Sequence, residues 1–73
     1  MKISVNFDSV KIMDGTFVNV GHEVMNFGHR AVVIGLHEHD GFLVVRLLDA
    51  DGKMLPRATG QFMANPALCA RPR

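Results

Sequence analysis

The residues of this chain that could do chemistry are four histidines, seven carboxylates and one cysteine. The densest group is His37-Glu38-His39-Asp40. Two histidines separated by one residue share a face on a continuous strand. Imidazoles so placed can chelate a transition metal, with Asp40 adding a carboxylate. Here the group lies between two apolar runs, where strand alternation stops, and polar residues at a turn need no metal. His37 and His39 are therefore kept only as metal candidates, and no cofactor is expected. His22 and His29 flank the loop before Arg30. They would join a four-histidine cluster only if both loops lie at the same end of the fold.

Asp49, Asp51 and Gly52 match the start of a calcium loop, but the twelfth position of such a loop is Gly60, which has no carboxylate. A tight turn is the better reading. Ser4, Ser9, Thr16 and Thr59 carry no nucleophile motif. Cys69 has Arg71 two residues away, which would lower a thiol pKa slightly. Glu23 and Glu38 form no recognisable acid/base pair, because sequence alone does not fix their separation. The seven glycines are dispersed, so there is no phosphate-binding loop. Arg30, Arg46, Arg57, Arg71 and Arg73 could gather into a patch for phosphate. Arg57 is expected across from Arg46 if Ala50 pairs with Lys53.

The element that must position most of these residues is a central hairpin, Arg30–Leu48. Two runs rich in β-branched residues flank His37–Gly41. A four-residue loop, Glu38–Gly41, with Gly41 at positive φ, or a two-residue loop, His39–Asp40, sets Val32 opposite Leu47, Ile34 opposite Val45 and Leu36 opposite Leu43. All six then turn inward, since strand side chains alternate. The outer side carries Ala31, Val33, Gly35 and His37, with Phe42, Val44, Arg46 and Leu48. A solvated face would hold Thr, Lys and Glu. This one is apolar with Arg46 in its middle. Either the N-terminal hairpin covers it through Phe17 and Val18, or it is an interaction surface anchored by Arg46. The second reading takes Arg46, Val33, Val44, Phe42, Arg30 and Arg57 as binding residues.

Around this hairpin, Ile3, Val5 and Phe7 alternate as a half-buried strand. Asp14-Gly15 joins Val10–Met13 to Thr16–Val20 as a small hairpin. Val20–Val24 precedes a loop over Met25–His29. Asp49–Gly52 is a turn, Pro56 marks an edge or bend, and Arg57–Met63 is an extended run with Gly60 at a bulge or close contact. Asn65-Pro66 starts a short 3₁₀ piece. The expected fold is all-β, a small barrel of about five to seven short antiparallel strands. Residues 1–68 form one domain (1–19 the N-terminal strand and hairpin, 20–68 the remainder), and residues 69–73 form a basic tail.

Seventy-three residues bury little core, and one cysteine makes no disulfide within the chain. An apolar content of 48 % exceeds what so small a core needs, so part of it should cover a partner or a second copy. The net charge of +1 argues against a strong non-specific nucleic-acid binder. No apolar run is long enough to span a membrane, and the N-terminus does not read as a signal peptide, so a cytoplasmic protein is expected.

From Val20 onward the pattern resembles the SH3-like small barrels, including KOW and Tudor modules. Val20-Gly21-His22-Glu23-Val24 looks like their first strand and Phe27–Gly35 like the loop and second strand. Phe42–Leu48 looks like the third, and Gln61-Phe62 with Asn65-Pro66-Ala67-Leu68 like the last strand and its 3₁₀ turn. The resemblance implies a module that binds proteins or nucleic acids or assembles with itself. The aromatic groove of peptide-binding SH3 domains is missing, because the chain has no Tyr or Trp. The expected function is a non-enzymatic module for a protein partner or self-assembly. The alternatives are nucleic-acid binding through the arginines and a homo-oligomeric enzyme with its active site on a symmetry axis. The last is motivated by a resemblance to the plasmid-type dihydrofolate reductase barrels, whose Val-Gln-Ile-Tyr segment is absent here.

Overall fold

The structure is a computed structural model that describes residues 3–72. Arg73, one of the arginines of the candidate patch, lies outside these residues, as do Met1 and Lys2. The chain is a small all-β fold of antiparallel strands, as its alternation and turn residues predict.

Its axis is the nine-residue strand β5, His29–His37. β6, Leu43–Leu47, lies along one edge of it, and β7, Gln61–Ala64, lies beyond β6. The other edge of β5 is shared. β4, Glu23–Asn26, takes its first half, and the two-residue β1, Ile3–Ser4, takes its last two residues. β8, Cys69–Ala70, pairs with the far side of β4, so the order is β7-β6-β5-β4-β8. β2, Val10–Lys11, and β3, Phe17–Val18, form a separate hairpin.

The β5–β6 loop is closed by His37 N–H donating to Phe42 O at 2.8 Å, and Gly41 has φ 75°, as the four-residue loop requires. The expected register holds next to this loop, where Leu36 faces Leu43. It fails one step later. Gly35 faces Val44 and Val33 faces Val45, so Ile34 is the extra residue of a β-bulge and does not oppose Val45. Past the bulge the side chains of β5 exchange faces. Ala31 and Val33 are fully buried in the core, and Val32 and Ile34 are only half-buried. Val33, expected on the outer face, is therefore a core residue.

The core gathers Val24, Ala31, Val33, Leu43, Val45, Ala64 and Cys69, with Ile12 and Val18 from the N-terminal hairpin. Each large aliphatic so buried stabilises the fold by about 1.5–3 kcal/mol. The hairpin therefore fills the inside of the fold through Ile12 and Val18, and Phe17 is 59 % exposed. The hairpin thereby covers Ala31 and Val33, two of the residues expected on the outer side, while Val44 lies outside this cluster. Its Asp14-Gly15 turn forms as the sequence predicts, with Asp14 Oδ1 accepting from the Thr16 hydroxyl at 2.6 Å and the Thr16 N–H at 3.0 Å. Met13 N–H donates to Cys69 O at 2.9 Å, and Arg71 N–H to Asp14 Oδ2 at 3.0 Å. These two bonds tie the hairpin to the C-terminal segment. Residues 69–70 are thus a core strand and not part of a tail.

Three other expectations are corrected. The first strand stops after Ser4, because Val5 is 67 % exposed and has nothing to pack on. The predicted loop over Met25–His29 is only the two-residue turn Phe27-Gly28, with both residues at positive φ. The extended run from Arg57 begins instead with one helical turn, α1, Arg57–Gly60, in which Gly60 N–H donates to Pro56 O at 2.8 Å. Gly60 does make the expected close contact, since a Cβ there would lie 2.8 Å from Leu55 Cβ. The 3₁₀ turn, Pro66–Leu68, forms as predicted, with Asn65 Oδ1 accepting from Ala67 N–H at 3.0 Å. Among the described residues, no helix is long and apolar enough to cross a membrane.

Candidate interaction surface

Arg46 points away from the core because Val45 and Leu47 on either side of it point inward. In the sheet it stands between Val32 of β5 and Gln61 of β7. Its Nη2 donates to Gln61 Oε1 at 2.9 Å, and its Nε is buried with no hydrogen-bond partner among the described residues. A buried donor left unpaired costs about 1–3 kcal/mol. The aliphatic stem lies under α1, where a Cβ on Gly60 would come within 3.4 Å of Arg46 Cγ. Glycine at this position lets the helical turn rest on the stem. No carboxylate neutralises Arg46 among the described residues. Glu23 is held by Arg30 and Asp40 by His37.

The neighbouring row is Gly35, Val44 and Met63. Val44 is 1 % exposed and lies outside the inner core cluster. Gly35 is covered by β1, since a Cβ on it would lie 2.7 Å from Ile3 Cγ2. Val44 is thus sealed on the outer face and is not available to a partner. The apolar side chains that remain accessible beside it are Ile3 and Met63, 38 % and 39 % exposed.

The structure therefore scatters the expected binding residues. Arg46 keeps its place, but Val33 is in the core and Val44 is covered. Phe42 is half-buried and lines a groove between the β5–β6 loop, the N-terminal hairpin and the 3₁₀ turn. Arg30 is engaged with Glu23 through Nε and Nη2 at 2.8 and 2.9 Å, which holds the Glu23 carboxyl below its usual range. Arg57 is on α1, and Gln61 occupies the place opposite Arg46. The turn before it pairs Leu48 with Met54, one step from the pairing expected. Arg30 and Arg71 line a separate groove with Glu23. Sequence reasoning missed Gln61, Met63 and Ile3. Only the outward alternation of Gln61 and Met63 within a strand hinted at them.

His37 is 6 % exposed. Its Nδ1 lies 2.7 Å from Asp40 Oδ1, and Nε2 is buried without a partner among the described residues. For Asp40, burial pushes the carboxyl up, but the hydrogen bonds from His37 and the Phe42 N–H outweigh it and hold the group below its ordinary value. His39 meets His37 only edge to face, with ring centroids 6.4 Å apart. His22 Nδ1 accepts from Asn19 N–H. No group of three His, Cys, Asp or Glu side chains converges as a metal set among the described residues. Burial raises the Cys69 thiol, against the lowering effect of Asn26, whose Nδ2 reaches Sγ at 3.8 Å. Comparison of the chain with protein-family models, with curated proteins and with solved structures finds no match.

Proposed function

We propose that the protein is a non-enzymatic interaction module of the SH3-like small-barrel kind, which holds a protein partner or a second copy of itself on the outer sheet surface around Arg46. One observation carries the reading. Among the described residues, a half-buried guanidinium sits beside apolar side chains, bonds only a neutral amide, and keeps an unpaired buried N–H. Arginine and methionine are enriched at interface centres, where a partner's acceptor makes up what the free surface lacks. The exposed side chains of Ile3 and Met63 supply apolar area next to it. The order β7-β6-β5-β4-β8, with a 3₁₀ turn joining the two end strands, supports the barrel resemblance. A single cysteine, Cys69, with no second one to pair with in the chain, is in keeping with the cytoplasm.

The test is affinity capture with the native chain and with Arg46→Ala, followed by titration of the protein recovered. An anchor of hot-spot strength contributes about 2 kcal/mol or more, a loss of roughly 30-fold in Kd. Equal affinity for both chains, with both folded by circular dichroism, refutes the role of Arg46.

A further inference from the structure

We infer that two copies of this chain pair antiparallel through the open edge of β7, about a two-fold axis at Met63. The inference rests on the interaction-module reading and names one occupant for it, but it concerns the backbone edge and not the Arg46 side chain.

The edge can be read from the alternation of backbone bonds across the sheet. His37 N–H donates to Phe42 O at 2.8 Å and Leu48 N–H to Arg30 O at 3.0 Å. Phe42, Val44, Arg46 and Leu48 therefore direct their backbone groups toward β5. Leu43, Val45 and Leu47 direct theirs to the other side, and Leu47 O does accept from Leu55 N–H there, at 2.9 Å. Facing Leu43 and Val45 are Ala64 and Phe62, which bond inward to β6. Gln61, Met63 and Asn65 then point outward. The Gln61 N–H is taken by Arg57 O, and Asn65 O by Leu68 N–H. What remains is the Met63 N–H and C=O, the Asn65 N–H and the Gln61 C=O. None of these four has a partner among the described residues.

The remaining groups are self-complementary. In a second copy turned about an axis at Met63, each Met63 N–H meets the other Met63 C=O. Each Asn65 N–H meets the other Gln61 C=O. Four hydrogen bonds form, and no backbone group on the edge is left over. A foreign extended strand would carry two further groups facing the already satisfied Gln61 N–H and Asn65 C=O, whereas a second copy has those same groups satisfied within its own chain and matches by symmetry. Gln61-Phe62-Met63-Ala64 also carries no charge, proline or bulge, the devices that keep strand edges apart. The other end strand, β8, is covered by Met13 and Asp14. The two-fold keeps both outer faces on one side, so the exposed Met63 side chains meet across the axis, flanked by two Arg46–Gln61 pairs. Four bonds and one methionine pair bury less than the roughly 1,000 Å² of a stable interface, so the dimer is reversible, with a Kd on the order of micromolar or weaker.

Light scattering and amide hydrogen exchange over a concentration series, on the native chain and Met63→Lys, test this. The native mass rises toward twice that of one chain. The Met63 and Asn65 amides gain protection of roughly ten-fold or more as it does, and those of Phe62 and Ala64 stay protected throughout. Met63→Lys remains a monomer with Phe62 and Ala64 still protected, which shows that it is folded. A native chain that stays monomeric, a dimer whose Met63 and Asn65 amides stay open, or one that survives Met63→Lys overturns the inference. A monomer that still binds a partner through Arg46 overturns the edge pairing alone. Edge protection that is unchanged in Arg46→Ala supports the pairing independently of that side chain.

Discussion

Gly35→Ala is the substitution for which the structure and local propensity predict opposite signs. Replacing a strand glycine by alanine stabilises by about 0.4–1 kcal/mol when the backbone tolerates it, because the unfolded chain loses freedom. Here the new methyl would meet Ile3 Cγ2 at 2.7 Å and the Ser4 carbonyl oxygen at 3.0 Å. The second contact is with backbone, so no rotamer change relieves it. Either the site stays overpacked, at about 1–3 kcal/mol, or β1 leaves β5. Detachment forfeits about three-fifths of the burial of Ile3, which is 38 % exposed, or about 1–2 kcal/mol. It also forfeits about 1 kcal/mol for each of the two ladder bonds. Against this the two freed residues recover about 1–2 kcal/mol of chain entropy each. These ranges leave a balance of about −1 to 2 kcal/mol, and because β1 is docked in the native fold its release must cost something, so release is the cheaper route, with a net loss of about 1 kcal/mol. In a chain this size that lowers Tm by about 4–8 °C. The mark of this route is local. Leu36, which pairs with Ser4, loses amide protection, whereas Val33, whose N–H donates to His22 O, keeps it. Adding Ile3→Ala leaves the Ser4 carbonyl contact in place and costs little further, because the Ile3 side chain has already left the sheet. A Gly35→Ala chain at least as stable as the native one, with Leu36 still protected, would refute the reasoning.

Two further outcomes follow from the C-terminal segment. Asn65→Ala removes the oxygen that accepts from Ala67 N–H and should cost about 1 kcal/mol in urea unfolding; an unchanged midpoint would show that the cap does nothing. The Cys69 thiol is raised by burial, so the folded chain holds its proton to higher pH than the unfolded chain, whose thiol ionises near about 8.5. Its contribution is full below that value and is lost as pH rises through the folded pKa. The stability advantage of the native chain over Cys69→Ala should therefore shrink as pH rises, and a constant difference would contradict it.

What could be read from the chain is what has a local cause. Asp14-Gly15, Gly41 and Asn65-Pro66 form the turns and cap expected of them, because each acts within four residues through φ or a single side-chain acceptor. The all-β class was legible for the same reason, since alternation and β-branching are properties of short windows. The site was only partly legible. Arg46 was found because its two neighbours are unmistakably inward. Gln61 was not, because one helical turn between Pro56 and Gln61 changes which residue reaches β6 after the turn at Asp49–Gly52.

The sequence by itself determined that two aliphatic runs pair as an antiparallel hairpin around Glu38–Gly41. It could not determine which side of β5 faces in. Ala31-Val32-Val33-Ile34 is apolar at every position, so either face satisfies the hydrophobic effect equally well. That degeneracy was resolved only in three dimensions. β4 needs one register along the first half of β5, the loop sets another at its end, and a bulge at Ile34 reconciles the two. The same constraint placed Val33 in the core, sealed Val44 beneath the outer face, and left Arg46, Met63 and the edge of β7 for contacts beyond the chain.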